Sequence, residues 1–313
     1  MSGVSRYRRI PRRGVVLGAA LAVVAPLWTT GAAAAAPAGG VFGWGVAITV
    51  TLAIPPESAD GVTSMSAGGI DAVALRSGGV LAWGDNNFGQ TEVPAGLTSG
   101  VAQVAAGWAH ELALKNGQVY AWGNDWYGQT DLPASVTSGV TAVATSNVHS
   151  LALKQGGQVV SWGSRSDVPA VAASGVSAIS AGGDHNLVLK NGGVLAWGNN
   201  TYGQTTVPAA ATSGVSAISA GYDHSLALKN GGVLAWGRDN FHQIDVPAEA
   251  TSGVVAIDAG WNHNVAVKSD GTIVLWGSDI SGESDPSACA PIFGASAGDG
   301  ATFVLKADLN VCQ

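Results

Sequence analysis

Five of the six histidines in this 313-residue chain, His110, His149, His185, His224 and His263, recur at nearly equal intervals. Histidine serves as a general base, a proton shuttle or a metal ligand. Each task needs companions that are unique in the sequence, such as a second ligand at helical spacing. His-Glu-x-x-His, Cys-x-x-Cys and a calcium loop of alternating acids are absent. A residue that returns with a period meets a periodic structural need. These five are therefore expected to be buried or half-buried and hydrogen-bonded within their own repeats. His242 stands out of register in a loop and is expected to be exposed. No metal, no cofactor and no enzymatic activity are expected.

The remaining side chains with recognition chemistry are aromatic and acidic. Trp108, Tyr222 and Trp261 stand just before a repeat histidine, with Asp184, Asp223, Asn262 and Asp299 in similar places. Phe88, Tyr127, Tyr202 and Phe241 align before a Gly-Gln turn (His242-Gln243 in the last), and Trp126 is an extra aromatic beside Tyr127. Asp85, Asp125, Asp239 and Asp279 accompany this second set. Trp108, Tyr222 and Trp261 are missing from several repeats, so periodic packing explains them poorly. Large aromatics amid acids suit a protein-recognition surface, and the acids favour a partner rich in lysine or arginine. The same residue types suit sugar stacking, which makes a glycan or cell-wall ligand the alternative. Gln90, Gln129, Gln204 and Gln243 recur in register and are expected to fix turns.

These residues are carried by a repeat. Trp-Gly occurs at Trp44, Trp83, Trp122, Trp162, Trp197, Trp236 and Trp276, about 39 residues apart except for one short interval of 35. Within one repeat, Val215–Ser219, His224–Lys229 and Val233–Trp236 alternate as strands do. Thr205–Val207, ending at Pro208, resembles an outer edge strand. Asn-Gly-Gly at 191–193 and 230–232 marks a tight hairpin. Four short antiparallel strands per repeat cannot bury both faces alone, and stacking around an axis solves that problem. The expected fold is all-β, a seven-bladed propeller of four-stranded blades over residues 39–313. Its ends are complementary: Val41–Trp44 lacks preceding strands, and Ala295–Lys306 lacks a Trp-Gly strand. The two are expected to share one blade and close the ring.

In such a meander, alternate loops emerge on opposite faces. The aromatic and acidic loops fall on one face. Arg76, Lys115, Lys154, Lys190, Lys229, Lys268 and Lys306 flank the turns of the other, where solvated surface lysines are expected.

Residues 1–38 read as an export signal, with five arginines, an apolar stretch from Val15 to Trp28 and an alanine run ending near Ala38. An extracellular protein is expected. Its removal leaves nine basic against 21 acidic side chains, which disfavours nucleic acid and anionic membranes as partners. A monomer is expected. Cys289 and Cys312 are the only cysteines, and in an oxidising compartment they are expected to pair as a disulfide.

Gly-Gln-Thr-Thr-Val-Pro-Ala (203–209), Thr-Ser-Gly-Val-Ser-Ala-Ile (212–218) and His-Ser-Leu-Ala-Leu-Lys-Asn-Gly (224–231) resemble the regulator of chromosome condensation repeat family. The resemblance covers essentially all of the chain after the export signal and implies a seven-bladed propeller. Within the family, the phrasing is most similar to secreted bacterial β-lactamase inhibitors. Those members bind their partner on the loop-bearing face, and Trp108, Tyr222 and Trp261 match their contact positions before the repeat histidine. The resemblance implies a class A β-lactamase as partner, with its active-site entrance occluded. Gly69-Ile70, Asn147-Val148, Gly183-Asp184 and Asp299-Gly300 depart from that aromatic pattern. Nucleotide exchange and chromatin binding by nuclear members do not carry over to an exported, acidic chain without long insertions.

Overall fold

The described residues form twenty-one strands, nearly all six residues long, as the 39-residue repeat dictates. The structure is a computed structural model and describes residues 39–45, 54–164, 167–278 and 292–306. After β1 (Gly40–Gly45) come β2–β4 (Val62–Ala67, Asp71–Arg76, Gly79–Gly84) and β5–β7 (Val101–Ala106, His110–Lys115, Gln118–Gly123). Next are β8–β10 (Val140–Thr145, His149–Lys154, Val159–Gly163) and β11–β13 (Val176–Ala181, His185–Lys190, Gly193–Gly198). Then follow β14–β16 (Val215–Ala220, His224–Lys229, Gly232–Gly237) and β17–β19 (Val254–Ala259, His263–Lys268, Ile273–Gly277). β20 (Ile292–Ala297) and β21 (Ala301–Lys306) complete the described strands. They form seven three-stranded antiparallel sheets, numbered here one to six from β2–β4 onward, with β20, β21 and β1 as the seventh.

The hairpins form as their residues dictate. Asn116-Gly117, Asn191-Gly192 and Asn230-Gly231 all have positive φ at both positions, between 52° and 78°. That geometry matches the right-handed twist of the flanking strands.

The expected fourth strand is not formed. In Thr205–Val207 the backbone N–H groups are spent locally: Thr205 N donates to Asn200 Oδ1 at 2.9 Å. Thr206 N donates to Gly203 O and Val207 N to Thr205 O. Side-chain and turn acceptors thus outcompete a ladder. After Pro208 the chain runs into a 3-10 turn, Ala209–Ala211, and five other inter-sheet connections contain the same element.

Neighbouring sheets bury their faces against each other. Leu187, Leu189 and Val194 of the fourth sheet pack with Val215, Ile218 and Trp236 of the fifth. Ala227, at a middle-strand position expected to permit close approach, is fully buried, and Ala235 is half-buried against the sixth sheet's core. At the ends, β1 pairs antiparallel with β21, Trp44 opposite Thr302. The seventh sheet also touches the first, where Ala67 N donates to Ser296 Oγ at 3.0 Å. The export segment, Cys289, Cys312, Asp279 and Val46–Val50 lie outside the described residues, so the disulfide and cleavage expectations fall there too.

Candidate protein-recognition face

The segment between the first and second strands of each sheet ends at a shared axis. There a backbone N–H of one sheet donates to a glycine or serine carbonyl of the next. Gly69 reaches Gly107, Trp108 reaches Ser146, and Gly183 reaches Gly221. Tyr222 reaches Gly260, Trp261 reaches Gly298, and Asp299 reaches Gly68, all within 2.9–3.3 Å. This girdle encloses a small cavity of about 80 Å³ whose lining includes Trp108, Tyr222 and Trp261. The three aromatics therefore share one mouth. They are half-buried, each partly open to solvent.

They form two clusters. Tyr222 and Trp261 meet with ring centroids 4.7 Å apart. Phe88 lies 6.0 Å from Trp108 and 5.0 Å from Trp126, the latter edge to face. Phe88 thus ties a loop that follows a third strand to the axial loops, which puts both loop sets on one face. Trp126 is 71% exposed, Tyr127 56% and Tyr202 46%, far more than packing residues of a sheet edge. Phe241 and Asn262 are half-buried nearby in sequence register.

The acids divide by role. Burial first, then the carboxylates of Asp223, Asp184 and Asp299, push the Tyr222 hydroxyl above its ordinary value, with Arg238 opposing them. Asp184 and Asp299 are half-buried, and Asp125 and Asp239 are exposed. Asp125 Oδ1 accepts from Thr130 N and Asp239 Oδ1 from Ile244 N, so both also fix their turns. Asp223 departs from expectation, because its carboxylate is buried and internally committed. It accepts from Gln204 Nε2 at 3.2 Å and from Arg238 Nη1 at 3.0 Å. Arg238 also lies 4.7 Å over the Tyr202 ring.

In the sequence Arg238 is one of nine basic residues after the export segment, with nothing in its charge to mark it. Its signal was positional: it follows Trp236-Gly237, where other repeats carry Asp85, Asn124 or Asn199. Gly69 and Gly183 were likewise read as lost aromatics. They are the floor on which the next sheet's aromatic rests, since a Cβ on Gly69 would overlap the Trp108 ring and one on Gly183 would sit 2.6 Å from the Tyr222 carbonyl oxygen and 3.0 Å from its ring.

The glutamines behave as expected. Gln90, Gln129, Gln204 and Gln243 accept through Oε1 from the backbone N–H of Phe88, Tyr127, Tyr202 and Phe241. Their carbonyls do more, accepting the indole N–H of Trp122, Trp162, Trp236 and Trp276 from the following sheet.

The histidines are buried, and their Nε2 bonds run between repeats, while His149 also bonds within its own repeat, Nδ1 meeting Ser146 Oγ at 2.7 Å. The Nε2 atoms of His110, His185 and His263 meet Ser150, Ser225 and Thr302 of the next sheet. His149 and His224 donate to Asn186 and Asn264 Oδ1 at 2.7 Å. The reason is the direction of the side chains, which point sideways into the neighbouring blade. Burial pushes His110, His185 and His263 down to about 3 and His224 to about 4, so these four are neutral. His242 is exposed and bonded to Asp245.

On the opposite face the lysines are structural rather than merely solvated. Lys115, Lys190, Lys229 and Lys268 donate to Gly96, Val171, Ala210 and Glu249 carbonyls at 2.7–2.9 Å, and Lys154 donates to Ser135. Each thereby fastens the 3-10 turn that precedes its own sheet.

Deeper along the axis lies a second cavity of about 100 Å³, lined by Ser66, Ser180, Ser219, Asp258 and Ser296 among others. Asp258 accepts from Ser219 Oγ, Ser296 Oγ and Ala297 N at 2.9–3.1 Å. Burial raises its carboxyl and these bonds oppose the rise. Ser296 is the centre of Gly294-Ala295-Ser296-Ala297-Gly298, a Gly-x-Ser-x-Gly sequence. It sits in β20 with its hydroxyl donated to Asp258, not on the strand-to-helix elbow that exposes a nucleophile. Among the described residues no three His, Cys, Asp or Glu converge to hold a metal ion, and no helix is long and apolar enough to cross a membrane.

Comparison with known proteins agrees with the repeat. Residues 176–204, 215–243 and 254–283, which correspond to the fourth to sixth sheets, match the regulator of chromosome condensation (RCC1) repeat. No curated protein matches the chain. Among solved structures, yeast RCC1 (Prp20), determined with Kap60 bound, superposes with a TM-score of 0.71 at 18% identity, covering 98% of this chain and 96% of that one. Prp20p from Saccharomyces cerevisiae, studied for binding to Gsp1p and histones, gives 0.69 at 19% identity over 85% and 90%. Human WBSCR16 gives 0.67 at 18% over 85% and 98%. Three of its segments thus match the RCC1 repeat, and the chain has the fold of RCC1-like propellers.

Proposed function

We propose that this protein is a secreted, monomeric, non-catalytic propeller that binds another protein through the aromatic–acidic face. The observation that carries the reading is the convergence of Trp108, Tyr222 and Trp261 on one mouth, flanked by the exposed rings of Trp126, Tyr127 and Tyr202. Rings held by packing yet open to solvent lose little entropy on binding and fit the core of a recognition patch. Binding of Gsp1p and histones by Prp20p supports a protein-binding use of the fold without naming the partner.

The partner to test first is a class A β-lactamase, on the resemblance of the repeat phrasing to secreted β-lactamase inhibitory proteins. Turnover of a chromogenic β-lactam is measured with excess protein lacking residues 1–38. Inhibition that is relieved at least tenfold by Trp108→Ala with Trp261→Ala supports the assignment. Unchanged turnover up to micromolar protein removes the β-lactamase. Pull-down from culture supernatant then reads the broader claim, and failure of the double variant to weaken any captured protein overturns the face itself.

The second reading is a glycan or cell-wall module. Aromatic rings beside Asp184 and Asn262 favour it. Retention on peptidoglycan, lost on Trp261→Ala, would select it over a protein partner. Export rests on residues 1–38, and a Cys289–Cys312 bridge follows from it; thiol titration of secreted protein tests both.

A further inference from the structure

Two sheets lack the ladder histidine. The seventh has Ala301 in its place, while the first has Asp71, and where the second sheet should offer a hydroxyl or amide it has Glu111. Both side chains are buried, at 1% and 0% exposure. They meet closely enough to hydrogen-bond. Yet none of their four oxygens receives a hydrogen bond from any N–H or O–H group of the described residues. Buried carboxyl oxygens without a donor are costly, and two adjacent bare carboxylates more so.

Among the described residues no cation is paired with either carboxyl. Asp85, after β4, adds negative charge and is itself bonded to Asn87 and Gln90. His110, next to Glu111, is neutral and directed at Ser150. Asp299 of the seventh sheet approaches through its backbone N–H, bonded to Gly68 O.

We propose that Asp71 and Glu111 form a proton-binding site, sharing one proton in a carboxylic acid–carboxylate hydrogen bond that joins the first and second sheets. The proton supplies the donor that both side chains lack. Its affinity is set by burial, which pushes Asp71 up to about 8 and Glu111 well above its ordinary value. The site lies under the recognition mouth, since Asp71 follows the Gly68–Ile70 loop and a Cβ on Gly69 would overlap Trp108. Loss of the proton therefore loosens the junction that seats Trp108. The inference concerns the fold's own chemistry and stands whether or not a partner binds there.

The test compares wild type with Asp71→His/Glu111→Ser, which rebuilds the His110–Ser150 type of rung. Urea unfolding is followed from about pH 7 to about pH 8, above the range in which the introduced histidine takes up a proton in the unfolded chain. The native state then holds one proton that the unfolded chain does not, so wild type should lose about tenfold per pH unit in folding equilibrium constant relative to the variant. Parallel curves overturn the proposal. Should the double variant not fold, infrared spectra of wild type provide the second measurement. A protonated-carboxyl band at pH 7 that is lost in Glu111→Gln or Asp71→Asn supports the shared proton; its absence at pH 7, or its survival in both variants, overturns it. A shift of the wild-type urea midpoint on adding EDTA would put a metal ion between the carboxyls and likewise overturn it.

Discussion

The Trp108 ring lies over Gly69 of the preceding sheet, at a place where any side chain would collide with it. The pairing explains why a glycine stands before two of the three axial aromatics, Gly69 before Trp108 and Gly183 before Tyr222. Trp261 instead packs on the Tyr222 ring of the sheet before it. Gly69→Ala should displace Trp108 from the mouth and cost about 1–3 kcal/mol, the range for overpacking a filled site. Near-ultraviolet circular dichroism should change with the urea midpoint. A midpoint within 0.5 kcal/mol of wild type with an unaltered spectrum would mean the ring is not seated on Gly69.

Arg238 organises the other cluster. It neutralises buried Asp223 and covers Tyr202. Its guanidinium is only partly buried, so Arg238→Ala should cost little stability, about 1 kcal/mol or less after solvent screening. Its electrostatic effect should be larger. Arg238 lowers the Tyr222 hydroxyl while three carboxylates raise it, so removing the cation must push Tyr222 further up. Spectrophotometric titration of the variant, with Tyr222→Phe as the blank, should show the shift upward. A downward shift would contradict the arrangement.

Acid should unfold the protein early. His110, His185, His224 and His263 have folded values of about 3 to 4 against 6.5 in an unfolded chain. Each is depressed, so the stability it contributes is complete above about pH 6.5 and is lost as pH falls toward 4, where the unfolded state takes up protons that the native state refuses. The urea midpoint should therefore drop steeply below pH 6. Replacing His224 with Gln should flatten that slope by about one proton. An unchanged slope would show that His224 is protonated in the folded state.

The repeat, its seven Trp-Gly markers, the hairpins and the shared terminal sheet were legible because each is a local or periodic signal. The missing fourth strand was not. Thr205–Val207 has strand-forming residues, but Asn200 and Gly203 capture the N–H groups that a ladder would use. The site was half legible. Aromatics that break the period pointed to Trp108, Tyr222 and Trp261. Asp223 looked like a free acid because its partner Arg238 is 15 residues away in sequence. The inter-sheet direction of the histidine bonds depends on how sheets stack, which no single repeat encodes.

The short repeat gives the sharpest energetic test. Trp236 Nε1 donates to Gln204 O at 2.9 Å, and Asn264 Nδ2 donates to Gln243 O at 2.8 Å. In the fourth sheet the corresponding donors are Trp197 Nε1 and Asn186 Nδ2, and both are buried without a partner among the described residues. The cause is in the sequence: the interval from Trp162 to Trp197 is 35 residues, and no Gly-Gln pair lies in the loop that should supply the carbonyl. Trp236→Phe and Trp197→Phe remove the same atoms but different interactions. The first loses a hydrogen bond and strands the Gln204 carbonyl, while the second deletes a donor that had no partner. Trp236→Phe should cost about 1–2 kcal/mol more than Trp197→Phe in urea unfolding. Equal costs would mean that Trp197 finds an acceptor in solution. Grafting the Asn200–Gln204 turn into the short loop should raise stability in wild type and lose that gain in Trp197→Phe, because the benefit depends on the indole N–H.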